Sequence, residues 1–294
     1  MQLIIFGGGR WGQEICKEAS KLKIIKKIII ITNNNKINNH ILTKKTFLVK
    51  KFSKKIITKN TKIIISNSID NHIKTLKKIN KFKNDILIEK PLFKSVNDLK
   101  YVDKKKNIYF SRIWSFDKYL KLFSYNINKI KIHKVKIYWF DKINEKRGNQ
   151  IKKHDLKISY NLDIFSHLMN LIEIITQKKI KKIDSYKIYK NNKNESNFSI
   201  NIEKSKFTFE ISRIKNVRKR YIKILDTKNN IHEIDFSKKN YAINKIKNKK
   251  YSYKTSENLL NMIKCFVYKR KIENINIEFG INSLKIHNKI FSKL

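Results

Sequence analysis

Proline is almost missing from this chain: one residue, Pro91, in 294. Glycine is scarce too, with six, and alanine is rare. Cysteine occurs twice, at Cys16 and Cys265, far apart. That spacing excludes a disulfide framework and a cysteine metal site, and a reducing compartment is expected. Acids are few, 23 against 69 Lys+Arg, for a formal charge of +46. No long apolar run exists; the longest, around Ile28–Ile31, is far too short to span a bilayer. The N-terminus opens into a strand pattern, MQLIIF, with no signal-peptide pattern. A soluble cytoplasmic protein is expected, with no membrane partner.

A charge of +46 by itself points to a polyanion. Only seven of the 69 basic residues are arginine, however, and readers of phosphate and base edges favour the arginine fork. Ile, Lys and Asn dominate, the pattern of an AT-rich coding sequence that writes lysine wherever the surface tolerates it. The lysines are spread along the whole chain. No specific nucleic-acid partner is therefore expected, although anionic ligands will be attracted at low salt.

Where glycine and proline are scarce, their positions carry information. Four of the six glycines fall between residues 7 and 12. Gly7-Gly8-Gly9-Arg10-Trp11-Gly12 fits G-x-G-x-x-G between a strand pattern, Gln2–Phe6, and a helical one, Trp11–Lys21. Such a loop turns tightly, admits a pyrophosphate to the backbone, and presents a helix N-terminus to it. Further strand patterns lie at Lys27–Ile31, Phe47–Val49, Lys62–Ser66, Asp85–Ile88 and Asn107–Phe110. Helical patterns at Asn71–Ile79 and Ser95–Val102 separate them, with Ser68 or Asp70 as N-cap of the former. This alternation predicts a parallel sheet covered on both faces. An NAD site usually carries an acid after the second strand, on the ribose. Here the strand runs into Thr32, Asn33 and Lys36, and no acid occurs from residue 19 to 69. NADP is favoured, with NAD as the alternative.

The pattern changes after residue 112. A helix is expected over Asp117–Tyr125, a long strand over Ile130–Phe140, a polar loop over Asp141–Lys157 and a strong helix over Ser159–Thr176. Strands at hairpin spacing follow, then two helices, Ser256–Tyr268 and Gly280–Phe291. The fold class is α/β: a doubly wound Rossmann domain over 1–115, then an α+β domain over 116–294 with a mostly antiparallel open sheet. The strand at residues 85–88 ends in Glu89-Lys90-Pro91. Ligands of doubly wound sheets bind at the carboxyl ends of strands, so Lys90 stands where a nicotinamide would lie. In the expected helix, Asp163 and His167 are four apart and share a face, suited to a general base and its orienting partner. A surface ion pair or a core histidine would give the same spacing.

Taken in order, Gly-x-Gly-Arg-Trp-Gly, Ser66-Asn67-Ser68-Ile69-Asp70-Asn71-His72, Glu-Lys-Pro and Asp-x-x-x-His resemble the Gfo/Idh/MocA family (glucose-fructose oxidoreductase, inositol dehydrogenase). The likeness covers nearly the whole chain. It implies hydride transfer between a nicotinamide and a hydroxyl or keto carbon of a sugar, cyclitol or nucleotide sugar. It implies Lys90, His167 and Asp163 as catalytic, and a cis bond before Pro91. It implies cofactor contacts from Gly7, Gly9, Arg10, Trp11, Gly12, Thr32, Asn33, Ser66, Asn67, Glu89 and Pro91, with His72 lining the groove. A homo-oligomer through the C-terminal sheet is also implied. No metal is expected. The chain departs from the family at Ser159, Tyr160, Asn161 and Phe165, where glycines are common, and at Asn170, where a second acid is frequent. Arg112, Trp114 and Asn170 are candidate substrate contacts; Arg112 and Trp114 would otherwise pack a domain junction. A dinucleotide-binding homologue without catalysis is the alternative function.

Overall fold

Isoleucine builds the first sheet. β-branched side chains favour a pleated backbone, and strands buried on both faces need no alternation. In the computed structural model the chain forms β1 (Gln2–Phe6), α1 (Arg10–Ser20), β2 (Lys27–Ile31), β3 (Thr46–Val49), β4 (Thr61–Ile65), α2 (Ile69–Ile79), β5 (Ile86–Ile88) and β6 (Ile108–Phe110). Next come α3 (Lys118–Asn126), β7 (Ile132–Lys142), β8 (Lys146–Arg147), β9 (Gln150–Ile151) and α4 (Tyr160–Thr176). Then follow β10 (Ser185–Asn191), β11 (Glu195–Ile202), β12 (Ser205–Lys215), β13 (Lys219–Asp226) and β14 (Ile231–Asp235). The chain closes with β15 (Asn240–Ile243), β16 (Ile246–Lys247), α5 (Ser256–Tyr268) and α6 (Ile277–Phe291). The structure describes residues 1–33, 37, 43–102, 107–143, 146–147, 150–151, 156–238, 240–243, 246–247 and 256–292.

The chain divides into two compact units. The first comprises Met1–Phe116 and Lys254–Leu284. Its six strands are parallel in the order β3-β2-β1-β4-β5-β6. The order reverses between β1 and β4, the switch point at which doubly wound sheets bind ligands. Register then lines up one residue from each strand end. Gly7 N donates to Ile31 O, Ser66 N to Phe6 O, Glu89 N to Ile65 O and Ser111 N to Ile88 O, at 2.8–3.0 Å. The core joins Leu3, Ile5, Ile28 and Ile30 to Ile15, Cys16 and Ala19 of α1 and to Met262, Ile263 and Phe266 of α5. Helix α5, placed with the second domain by its sequence position, therefore packs in the first unit. Its apolar face covers β1 and β2 beside α1.

The second unit comprises Asp117–Tyr253 and Lys285–Leu294. Its eight-stranded sheet runs β10-β11-β12-β7-β13-β14-β15-β16. Every pairing is antiparallel except β7 with β12. Strand β13 alternates half-buried and buried residues along its whole length. That period of two marks a sheet with one covered face. Phe198, Phe207, Phe209, Ile222, Ile224 and Ile234 are buried there, as are Ile164, Leu168, Leu171 and Ile172 of α4.

Two local expectations changed. Residues 95–102 form a 3-10 helix over Val96–Tyr101, with Ser95 Oγ accepting from Asn97 N at 3.1 Å. Six residues are too few to reward an α-helical nucleus. The polar segment from Asp141 begins as sheet, because β7 continues to Lys142. Asp141 is polar yet buried, held by an ion pair with Arg220. Residues 144–145, 148–149 and 152–155 of that segment lie outside the described residues, as does Lys36.

Candidate active site

The glycine loop is shaped by close approach. A Cβ on Gly7 would sit 2.6 Å from Asn67 N, and Gly7 has φ +114°, a conformation that L side chains rarely adopt. On Gly8 it would meet Thr32 Oγ1 at 2.6 Å, and on Gly12 it would reach Gly7 O at 1.9 Å. At Gly9 it would meet nothing within 4 Å. The chain itself therefore demands three of these glycines, while Gly9 is exposed and keeps a space open outside the loop. Gly9 is also the N-cap of α1, with no side-chain cap. The first turn of a helix directs its N–H groups outward, a natural seat for a phosphate. A pyrophosphate fits this cradle. Gln13 fixes it from beneath, its buried amide donating to Gly8 O at 2.9 Å.

Thr32 emerges beside Gly8 and is half-buried; Asn33 is exposed. Neither brings negative charge to the end of β2. Across the switch point, Ser66 Oγ donates to Phe6 O at 3.2 Å, and Asn67 Nδ2 donates to Thr75 Oγ1 at 2.8 Å. His72 is 1% exposed. Its Nε2 lies 3.1 Å from Asn67 O and its Nδ1 3.1 Å from Leu92 O. Burial lowers its pKa, and the facing carbonyls offset this in part. His72 thus sits between the loops after β4 and β5.

Glu89, Lys90 and Pro91 follow β5, and the Lys90–Pro91 bond is cis. Lys90 is half-buried. Glu89 is buried, and burial raises its pKa; nearby Trp11, Ser111 and Lys90 lower it again in part. Trp11 Nε1 and Glu89 Oε1 each lack a hydrogen bond of normal geometry, so the indole acts on the carboxyl by proximity. Glycine loop, Thr32, Ser66, Asn67, Glu89 and Lys90 all follow the carboxyl ends of strands in the first sheet. Arg112 is buried, with its guanidinium carbon 3.8 Å from the Phe279 ring centroid, and Trp114 is half-buried in the same unit.

In the second unit, Asp163 and His167 are half-buried on one face of α4. The His167 ring stacks on Trp139 of β7, centroids 5.5 Å apart and planes 22° from parallel. Arg220, opposite Trp139 on β13, places its guanidinium carbon 4.0 Å from the Trp139 ring centroid. It is also ion-paired to Asp141, and both groups are buried. Beside them Tyr160 is fully buried; burial, with Asp141 adding to it, lifts its phenol pKa well above the ordinary value. Arg213 binds Ile158 O, Lys193 O and Asn194 Oδ1, tying down the chain that enters α4. Phe165 is core and stacks on Phe198. Asn170 is buried at 1% exposure.

Trp139, Asp141, Arg213 and Arg220 were not singled out in the sequence. One signal did mark the arginines. Where lysine is written by default, seven arginines stand out, and among the described residues Arg112, Arg213 and Arg220 are buried. A delocalised guanidinium tolerates stacking and burial better than an ammonium.

These features define the class of a dinucleotide-type parallel sheet joined in one chain to a unit built on an open, mostly antiparallel sheet. No protein-family model matches the sequence, and no curated protein matches it by sequence. Solved structures do match. GenD2 from gentamicin A biosynthesis, in complex with NAD, aligns over 98% of this chain and 92% of its own at TM-score 0.76 and 8% identity. UDP-N-acetylglucosamine 3-dehydrogenase GnnA from Acidithiobacillus ferrooxidans aligns over 98% and 96% at TM-score 0.76 and 10% identity. A myo-inositol dehydrogenase from Corynebacterium glutamicum aligns over 98% and 94% at TM-score 0.73 and 11% identity. The chain has the fold of these solved structures. Among the described residues, no helix is long and apolar enough to cross a membrane.

Proposed function

We propose that the protein is an NAD(P)-dependent oxidoreductase acting on a hydroxyl or keto carbon of a sugar, cyclitol or nucleotide sugar. The observation that carries this reading is the open cradle at Gly9, in line at the switch point with the loop that carries Lys90. The dinucleotide, when bound, supplies or accepts the hydride at its nicotinamide. The protein's own groups do the rest. Gly9 and the first turn of α1 receive the pyrophosphate. Thr32 and Asn33 face the adenosine ribose, and the absence of a carboxylate between residues 19 and 69 favours a 2′-phosphate, hence NADP. Lys90 hydrogen-bonds the reacting oxygen and passes on its proton. His167, steadied by Trp139, serves as acid or base, with Asp163 as its acidic companion. The names of the fold relatives support a sugar-like substrate.

Assembly through the second sheet belongs to the same reading. Tyr138, Lys219 and Tyr221 lie on its partly exposed face, with Lys219 Nζ 4.2 Å from the Tyr138 ring centroid. A cytoplasmic location is proposed with it, supported by two cysteines that are buried and unbridged.

The test measures NADPH and NADH binding by fluorescence, then turnover on a panel of keto-sugars and nucleotide sugars. Lys90→Ala is expected to keep binding and to lose turnover by about 10²-fold or more, the usual scale for a positioned acid–base group. Normal turnover by that variant refutes the role of Lys90. Binding by wild type without turnover on any member supports a non-catalytic homologue.

A further inference from the structure

An imidazole presents one N–H when neutral and two only when protonated. A buried histidine facing one carbonyl is a satisfied core residue. His72 faces two, from loops that follow different strands. Asn67 O belongs to the loop after β4, and Leu92 O lies two residues past Lys90 in the loop after β5. The same Asn67 backbone abuts the glycine loop, since its N lies 2.6 Å from where a Cβ of Gly7 would be. A second link joins α2 to the β5 loop from outside, the exposed ion pair of Asp70 with Lys94.

We propose that His72 is a positioning residue that ties the loop after β4 to the Lys90-bearing loop after β5, making the nicotinamide half of the site one rigid body. The inference rests on the dinucleotide reading above. A doubly wound sheet consists of two mononucleotide-binding halves. Strands β1–β3 and the glycine loop serve the adenosine half, whereas the loops after β4 and β5 serve the other. Both tied loops belong to the second, and the one after β4 meets the first through the packing of Asn67 against Gly7. Its buried ring is out of reach of any ligand, so it acts through what it holds. If the loops are free to part, the cost of ordering them falls on ligands that touch both.

The experiment compares two probes on the full chain: NADPH, which spans both halves, and adenosine 2′,5′-bisphosphate, which occupies the first alone. His72→Leu keeps an apolar filling and removes the imidazole between the two carbonyls, whose single N–H on a neutral ring bonds one of them while the ring packs against the other. It is expected to weaken NADPH about tenfold or more, with the bisphosphate within about twofold of wild type, since preorganisation is lost in one half only. A merely structural histidine would lower the melting temperature and leave the ratio of the two affinities unchanged. Equal weakening of both probes, or of neither, overturns the proposal. Should His72→Leu fail to fold, His72→Gln, which keeps donor and acceptor, is expected to show a smaller loss of NADPH alone; a wild-type ratio in that variant overturns the proposal. If wild type binds neither probe, NADH and AMP take their places in the same comparison; if it binds none of the four, the dinucleotide reading itself fails, and the inference with it.

Discussion

Two alanine substitutions in one loop should behave in opposite ways. At Gly12 a Cβ would stand 1.9 Å from Gly7 O, where real Cβ contacts essentially never fall below 3.0 Å. The neighbour is backbone, so helix and strand must separate by about 1 Å at a close-packed point. Overpacking of this kind costs about 1–3 kcal/mol, while the better helix propensity of alanine returns about 1 kcal/mol at most. Gly12→Ala should therefore be destabilised by up to about 2 kcal/mol, a melting temperature lower by about 4–8 °C in a domain of this size. At Gly9 the added methyl meets nothing within 4 Å, and the residue's φ of −67° suits any side chain. Gly9→Ala should melt within about 1–2 °C of wild type, as for a surface change. If the open space at Gly9 receives the pyrophosphate, the same methyl obstructs it. NADPH affinity should then fall at least about tenfold, some 1.4 kcal/mol. Differential scanning calorimetry and a fluorescence titration on both variants decide the matter. Wild-type NADPH binding by Gly9→Ala refutes the placement of the phosphates, and a wild-type melting temperature for Gly12→Ala refutes the packing argument.

Glu89→Gln tests the buried carboxyl beside Lys90. Because burial raises its pKa in the folded state, Glu89 holds its proton more tightly folded than unfolded. Its contribution to stability must therefore fall as pH rises above the ordinary carboxylate range. The glutamine variant should flatten the slope of melting temperature against pH in that range, and an unchanged slope refutes the shift. Arg220→Met should cost about 3–5 kcal/mol in urea denaturation, because it strands the buried Asp141. Adding Asp141→Leu should recover most of that loss, and a double variant no more stable than the single one refutes the coupling.

Several features were legible because each is a local demand met at one position. The four clustered glycines mark a turn and two close approaches that exclude a Cβ. The isoleucine runs of β1, β2 and β4 mark strands buried on both faces. Pro91 marks the end of β5. In a composition driven towards Ile, Lys and Asn, each such exception has a physical cause.

Other features depend on where distant segments meet. His72 lies on a helix whose sequence says only that one face is apolar; its two carbonyl partners come from loops on either side of it in the chain. Arg220 and Asp141 are 79 residues apart and face each other only because β13 pairs antiparallel with β7. Helix α5 follows the second sheet in sequence yet completes the core of the first unit, since an amphipathic helix records that it needs a partner without recording which one. The sequence alone determined the glycine loop, the parallel strands and the position of Lys90, because backbone geometry and burial act on neighbouring residues. Tertiary structure decided that His72 stands between two loops, that Trp139 backs His167, and that three scarce arginines are buried, because those contacts exist only once the sheets have formed.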